Sequence, residues 1–232
     1  MKICGLQKTT LLDFPGHVAA TVFLSGCNFR CPFCHNTDLL TGSAEELMSV
    51  EELLGFLKKR KGILEGVCIT GGEPTLYGDE LEQLIRDIKN LGYLVKLDTN
   101  GYQPDVLRHL CRQQLLDYVA MDIKSGRSHY SEVSGVSGIQ MDTVQQSISW
   151  LMEGHISYEF RTTVVKGLHT AEDFQDIALW IGGCSRYFLQ GFVDSGNVLT
   201  DGFSAFSRKE LEVFLDIVKP LIPSAEIRGV DY

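Results

Sequence analysis

No stretch of this sequence stays apolar for the roughly 18 residues that a membrane-spanning helix needs, so no such span is expected. Positive charge is scarce as well. Against 30 Asp and Glu stand 21 Lys and Arg, a formal net charge of −9. That balance argues against a nucleic-acid or anionic-membrane partner, either of which favours a basic face. The one dense basic cluster, residues 58–61, reads as a helix C-terminus, where cations are favoured. Pair-like cysteine spacing is missing too. Of the seven cysteines, Cys4, Cys68, Cys111 and Cys184 are scattered and read as small buried hydrophobes, which points to a reducing, cytoplasmic setting. An export signal is not expected either. The run 18–24 ends in LSGC and imitates a lipoprotein cleavage site, but Asp13, Pro15 and His17 crowd a core at the short end of the range.

The other three cysteines stand together in CNFRCPFCHN, residues 27–36, at the spacing C-x3-C-x2-C. Three thiolates converging from one short loop suit three irons of a cubane cluster, because soft sulfur ligands suit iron, and the fourth iron is left without a protein ligand. Three rivals stand beside this: a zinc site of Cys27, Cys31, Cys34 and His35, a redox pair in CPFC, and haem attachment through CPFCH. Zinc requires two adjacent residues to ligate one ion, a redox pair leaves Cys27 unexplained, and haem attachment needs export.

Buried β-type runs alternate with amphipathic helical stripes about six times along the chain. Strands are expected over 17–24, 66–70, 93–97, 118–121, 157–165 and 187–190, with a short one near Ile227. Helices open at the capping boxes Ser49–Glu52, Thr170–Asp173 and Ser207–Glu210, and Gly92 is placed to stop the helix carrying Leu81, Leu84, Ile85, Ile88 and Leu91. Residues 1–16 are expected to form a hairpin or loop, and the Gly/Ser-rich 125–138 a loop. Strand–helix repetition without internal hairpins specifies parallel strands wrapped by helices. Six units are too few for a closed barrel of eight, so the expected fold is α/β, an open, TIM-like partial (β/α)6 barrel, with a doubly wound sheet as the alternative. One domain, 1–232, is expected: an N-terminal extension 1–16, a six-strand core 17–190, and a C-terminal loop, helix and tail 191–232.

Active sites of parallel α/β folds lie at the C-terminal strand ends. Those ends carry the cysteine loop, Gly71-Gly72-Glu73, Asp98-Thr99, Asp122 and Lys124, Arg161, and Gln190. Each has a plain alternative: a glycine turn, an aspartate capping its own turn, a solvated lysine. Arg161 inside a strand is the hardest to dismiss, because its charge must meet a partner or solvent.

CNFRCPFC resembles the cysteine motif of the radical S-adenosylmethionine (radical SAM) enzymes, and GGEP, 71–74, resembles their second motif. GLQKTTLLDFPG (5–16), CHN (34–36), LDTNG (97–101) and MDIK (121–124) are similar to the glycyl-radical-enzyme activases, above all those of anaerobic ribonucleoside-triphosphate reductase, with the pyruvate formate-lyase activases as siblings. The resemblance implies a [4Fe–4S] cluster on Cys27, Cys31 and Cys34 whose open iron takes the amino and carboxylate groups of SAM. It further implies Phe33 beside the adenine and Gly71, Gly72 and Glu73 on the methionyl ammonium. Asp98, Thr99, Asp122 and Lys124 match positions near the carboxylate, the ribose or a monovalent cation, and Gln190 stands near the adenine. Asp13, in DFPG where relatives have DGPG, would face the partner's C-terminal glycine loop together with His35 and Arg161. An electron from a flavodoxin or ferredoxin-type donor would cleave SAM to a 5′-deoxyadenosyl radical. A 7-carboxy-7-deazaguanine synthase and a zinc-binding interaction module remain as the other readings.

Overall fold

The computed structural model describes residues 1–40, 44–193, 196 and 198–230. The chain opens with β1 (Ile3–Thr10) and β2 (Ala19–Leu24), followed by a single turn of helix α1 (Thr37–Leu40) and then α2 (Val50–Lys59). Thereafter strand and helix alternate: β3 (Gly66–Gly71), a 3₁₀ turn (Pro74–Tyr77), α3 (Asp79–Asn90), β4 (Leu94–Thr99), α4 (Pro104–Arg112) and β5 (Tyr118–Asp122). Two helices, α5 (Tyr130–Ser134) and α6 (Met141–Met152), separate β5 from β6 (Ser157–Lys166). The chain ends with α7 (Ala171–Trp180), β7 (Tyr187–Gly191), the two-residue β8 (Ser204–Ala205), α8 (Arg208–Val218) and β9 (Ala225–Arg228).

The strands lie in the order β1-β2-β3-β4-β5-β6-β7-β9, and every neighbour pair from β2 to β9 is parallel. This is the expected α/β architecture, a mostly parallel sheet flanked by helices, curved as a partial barrel. β9 adds the short strand foreseen near Ile227, and β1 pairs antiparallel with β2. β1 and β9 end the order without pairing to each other, so the described strands leave a seam.

Local sequence chemistry explains these elements. All three capping boxes form both of their reciprocal bonds, at Ser49/Glu52, Thr170/Asp173 and Ser207/Glu210. Lys58 and Lys59 occupy the last turn of α2, complementing its dipole. α3 buries Leu81, Leu84, Ile85 and Ile88 on the sheet, each contributing about 1.5–3 kcal/mol, and Gly92 follows its end at φ 87°. One expectation fails: 125–138 is not all loop. Tyr130 and Val133 anchor α5 in the core, so tertiary burial holds a helix that its polar neighbours conceal. Among the described residues no helix is long and apolar enough to cross a membrane.

Candidate functional site

Arg161 and Thr163 of β6 face the barrel interior, as do Lys96 and Asp98 of β4 and Asp122 of β5. With the loops at the strand ends they line one cavity of about 670 Å³. Cys27, Cys31, Phe33, Cys34 and His35 form one wall. Gly71, Gly72, Asp98, Thr99, Asp122, Lys124, Arg161 and Gln190 line the same cavity. Asp13 reaches it from the opposite end of the barrel. Because β1 is antiparallel, its turn to β2 lies at the N-terminal ends of the parallel strands, and Thr21 Oγ1 donates to Asp13 Oδ2 at 2.5 Å. Phe14 beside it is buried and packs with Ala19 and Tyr118, plugging that end of the barrel. The Phe14 ring thus fills the barrel bottom.

The cysteine loop is held by backbone. Cys27 N donates to Leu40 O (3.3 Å), Arg30 N to Ser134 O (2.9 Å), Cys34 N to Cys31 O (3.0 Å), and Thr200 N to Pro32 O (2.9 Å). That last bond ties the long 191–206 connection to the loop; Asp194, Ser195 and Asn197 of the connection lie outside the described residues. The Arg30 guanidinium donates to Cys27 O and Phe29 O at 2.6 and 2.7 Å. His35 stacks on Phe192 with centroids 5.2 Å apart, and Phe33 meets His169 edge-on at 6.5 Å.

The two glycines earn their place through packing. Gly71 has φ 125°, and a Cβ on it would lie 2.2 Å from Leu24 O, while one on Gly72 would lie 1.9 Å from Gly26 O. Gly72 N and Glu73 N donate to Leu24 O and Gly26 O at 2.9 and 2.8 Å, so the glycine turn is stitched to the start of the cysteine loop. Glu73 does not line the cavity. Its carboxylate is buried and accepts from Thr75 N (3.1 Å), Thr99 Oγ1 (2.8 Å) and Asn100 N (2.6 Å). It joins the β3 and β4 ends from behind. Burial pushes its pKa up, partly offset by those donors.

Opposite the thiols runs a ladder of charges. Lys96 Nζ contacts Asp98 Oδ1, and Arg161 bonds Asp98 Oδ2 at 3.0 Å. Arg161 Nε also contacts Asp122 Oδ1, and Lys124 Nζ lies 2.8 Å from Asp122 Oδ2. Arg161 thus faces the cavity as the central rung of this wall, with its guanidinium engaged by two carboxylates. Burial alone would raise the carboxyls of Asp98 and Asp122, but the neighbouring cations win and hold both below the usual range. Burial opposes the charge on Lys124 too, yet Asp122 keeps its pKa above the ordinary value. Three cations face two anions here, leaving one positive charge to attract an anion.

Three further residues complete the site. Lys96 is the buried end of the ladder, Asn100 sits between Glu73 and the cysteine loop, and Arg228 of β9 lines the seam. Arg228 pairs with the buried Glu159 (3.1 Å) and stacks over Phe188 (3.7 Å). His169 accepts from Val165 N (3.1 Å) on Nδ1 and reaches Lys124 O (2.8 Å) with Nε2, a network that selects the neutral tautomer with the proton on Nε2. A lysine amid the apolar LVKLD was the one readable signal.

The donor set fits an iron–sulfur cluster. Three free thiols of one loop, Cys27, Cys31 and Cys34, line a single cavity wall, and soft sulfur ligands of this kind suit iron. Burial pushes the Cys27 thiol up to about 12 and the Cys31 thiol to about 11, while Lys124 pulls both down.

With this geometry in view, residues 21–181 match the family description "Radical SAM superfamily". The chain belongs to the radical SAM superfamily. Within it, the chain is 33% identical over 196 residues to a Methanocaldococcus jannaschii protein provisionally named a glycyl-radical enzyme activating enzyme, covering 82% of this chain and 79% of that one. A 7-carboxy-7-deazaguanine synthase of Hyperthermus butylicus is 40% identical over 91 residues, 39% of this chain and 38% of that one. The pyruvate formate-lyase-activating enzyme of Clostridium pasteurianum is 31% identical over 131 residues, 53% and 52% of the two chains. Streptococcus suis SuiB bound to its precursor peptide SuiA shares the fold at TM-score 0.71 and 16% identity, over 90% of this chain and 48% of SuiB.

Proposed function

We propose that this protein is a glycyl-radical-enzyme activase: it holds a [4Fe–4S] cluster on Cys27, Cys31 and Cys34, binds SAM in the adjoining cavity, and removes a glycine Hα from a partner enzyme. The observation that carries this is one cavity joining the three thiols, a charged polar wall and the seam between β1 and β9. When bound, the reduced cluster supplies the electron that cleaves SAM.

The chain's own residues orient and shield. The surplus positive charge of the ladder suits the methionyl carboxylate, with Lys124 nearest the cysteine wall. Gly72 and Glu73 amides are occupied by Leu24 and Gly26 carbonyls and Glu73 O accepts from Leu76 N, so the ammonium would meet the carbonyl oxygens of Gly71 and Gly72. Phe33, buried beside His169, supplies the apolar contact for the adenine, with Gln190 opposite. Asp13 stands at the deep end of the seam, where it can hold a backbone N–H of an incoming glycine loop. Leu11, Leu12 and Val193 rim the cavity at 72%, 85% and 63% exposure, an apolar mouth suited to a peptide.

Among partners we favour anaerobic ribonucleoside-triphosphate reductase, on the DFPG, CHN and LDTNG elements; a pyruvate formate-lyase-type enzyme is the second candidate. The protein, loaded with iron and sulfide under anaerobic conditions, is mixed with SAM, a low-potential reductant and each partner in turn. A glycyl radical signal by electron paramagnetic resonance on the reductase is expected. Turnover of SAM with a deazapurine precursor, and a radical on neither partner, would replace the activase with the small-molecule enzyme.

A further inference from the structure

Among the described residues, buried polar side-chain atoms without a partner are Nδ2 of Asn28, Nε of Arg60 and the hydroxyl of Tyr130. Asn28 follows the first cysteine directly, and the network around it fixes which end of its amide is which. Asn100 Oδ1 accepts from Tyr102 N at 3.0 Å, so Asn100 presents its nitrogen to Asn28, and that Nδ2 donates to Asn28 Oδ1 at 2.7 Å. The orientation of Asn28 follows: its oxygen is taken, and its NH2 has no acceptor. Asn100 is itself immobilised, because its backbone N donates to the buried Glu73 at 2.6 Å.

A buried amide donor left unpaired costs about 1–3 kcal/mol, so an acceptor supplied on loading explains it better than packing does. The same amide stands beside a cluster thiol. The Cys27 thiol donates weakly to Asn28 Oδ1 at 3.9 Å, a contact that ends once the thiol gives up its proton. Since the nitrogen and oxygen of one amide are about 2.2 Å apart, Nδ2 lies within about 6 Å of that sulfur. Cys27 Sγ already accepts from Phe29 N at 3.4 Å, which marks this side of the loop as a source of donors to sulfur.

We propose that the Asn28 side-chain amide donates a hydrogen bond to a sulfur of the cluster at its Cys27 corner, and that Asn28 is thereby a positioning residue that sets the cluster's reduction potential. This rests on the cluster assignment made above. A donor to sulfur stabilises the more negative, reduced state, so it raises the potential.

The test compares three proteins after anaerobic reconstitution: the wild type, Asn28→Leu and Asn28→Asp. Aspartate keeps the shape and the bond from Asn100 but has no N–H to give. Iron and sulfide content, the midpoint potential and the exchangeable-proton couplings of the reduced cluster in H2O against D2O are read for each. Both variants are expected to bind iron, to show a more negative midpoint, and to lose one exchangeable-proton coupling. The coupling separates a missing donor from the added charge of aspartate. Where leucine prevents iron loading, the aspartate protein decides. Wild-type couplings in a loaded variant overturn the proposal, even where iron content has fallen, since that pattern marks a merely structural asparagine. A wild type that takes up no iron overturns the cluster assignment itself.

Discussion

The two walls of the cavity are built on opposite principles. The cysteine wall is held by main-chain bonds, to Leu40 O and Ser134 O and from Thr200 N, and by glycines that leave no room for a Cβ. The facing wall is held by charge, from Lys96 through Asp98, Arg161 and Asp122 to Lys124. Thiols that must serve a cluster have no charge of their own to donate to the fold while protonated, so backbone has to place them. A ladder of ion pairs places itself, and it keeps one cation's worth of attraction for a ligand. Substitutions should therefore fail differently on the two sides.

The largest effect is expected at Gly72→Ala. Its Cβ would meet Gly26 O at 1.9 Å, backbone against backbone, where neither side can yield. A loss of about 4 kcal/mol in denaturant unfolding is expected, with iron uptake failing alongside. A full iron load in this variant would show that the glycine turn does not position the loop.

Next comes Asp122→Asn, which strands Arg161 and Lys124 without their shared carboxylate. About 3 kcal/mol is expected at pH 7, while the cysteine wall still takes up iron. The sign of its pH dependence follows from the depressed carboxyl. The charged form stabilises the fold above the ordinary value of about 4, and that contribution fades as pH falls toward the native value. The wild type should thus lose stability on acidification faster than the variant. Parallel acid limbs in pH-dependent unfolding would mean that the ladder contributes nothing to the fold.

The smallest effect is expected far from either wall, at Ser49→Ala. It removes one side of the α2 capping box and should cost about 1 kcal/mol with SAM turnover unchanged. A change in turnover there would blur the contrast between walls and scaffold.

Most of the scaffold was legible because its signals are local. Leu81, Leu84, Ile85 and Ile88 mark one face of α3, and each capping box needs only four residues. α5 was not, because Tyr130 and Val133 declare a helix only once the core is there to receive them. The site divides the same way. Cys27, Cys31 and Cys34 are a motif in one loop, whereas the engagement of Arg161 by Asp98 and Asp122 joins three strands and appears only in the fold. Glu73 shows the limit most clearly. It sits in the expected motif, yet its carboxylate turns to Thr99 and Asn100 behind the cavity, and no neighbour in sequence foretells that. Lys96 was half legible: within the apolar LVKLD it shares a strand face with Asp98, but its burial shows only with the barrel assembled.

Both walls matter only if they serve one bound pair, cluster and SAM. Release of 5′-deoxyadenosine from SAM, measured under anaerobic conditions with a low-potential reductant after iron and sulfide loading, tests that most directly. A brown protein with about four irons per chain that forms 5′-deoxyadenosine, and loses this on Cys31→Ala, is predicted. Zinc in place of iron, with SAM left intact, would contradict it.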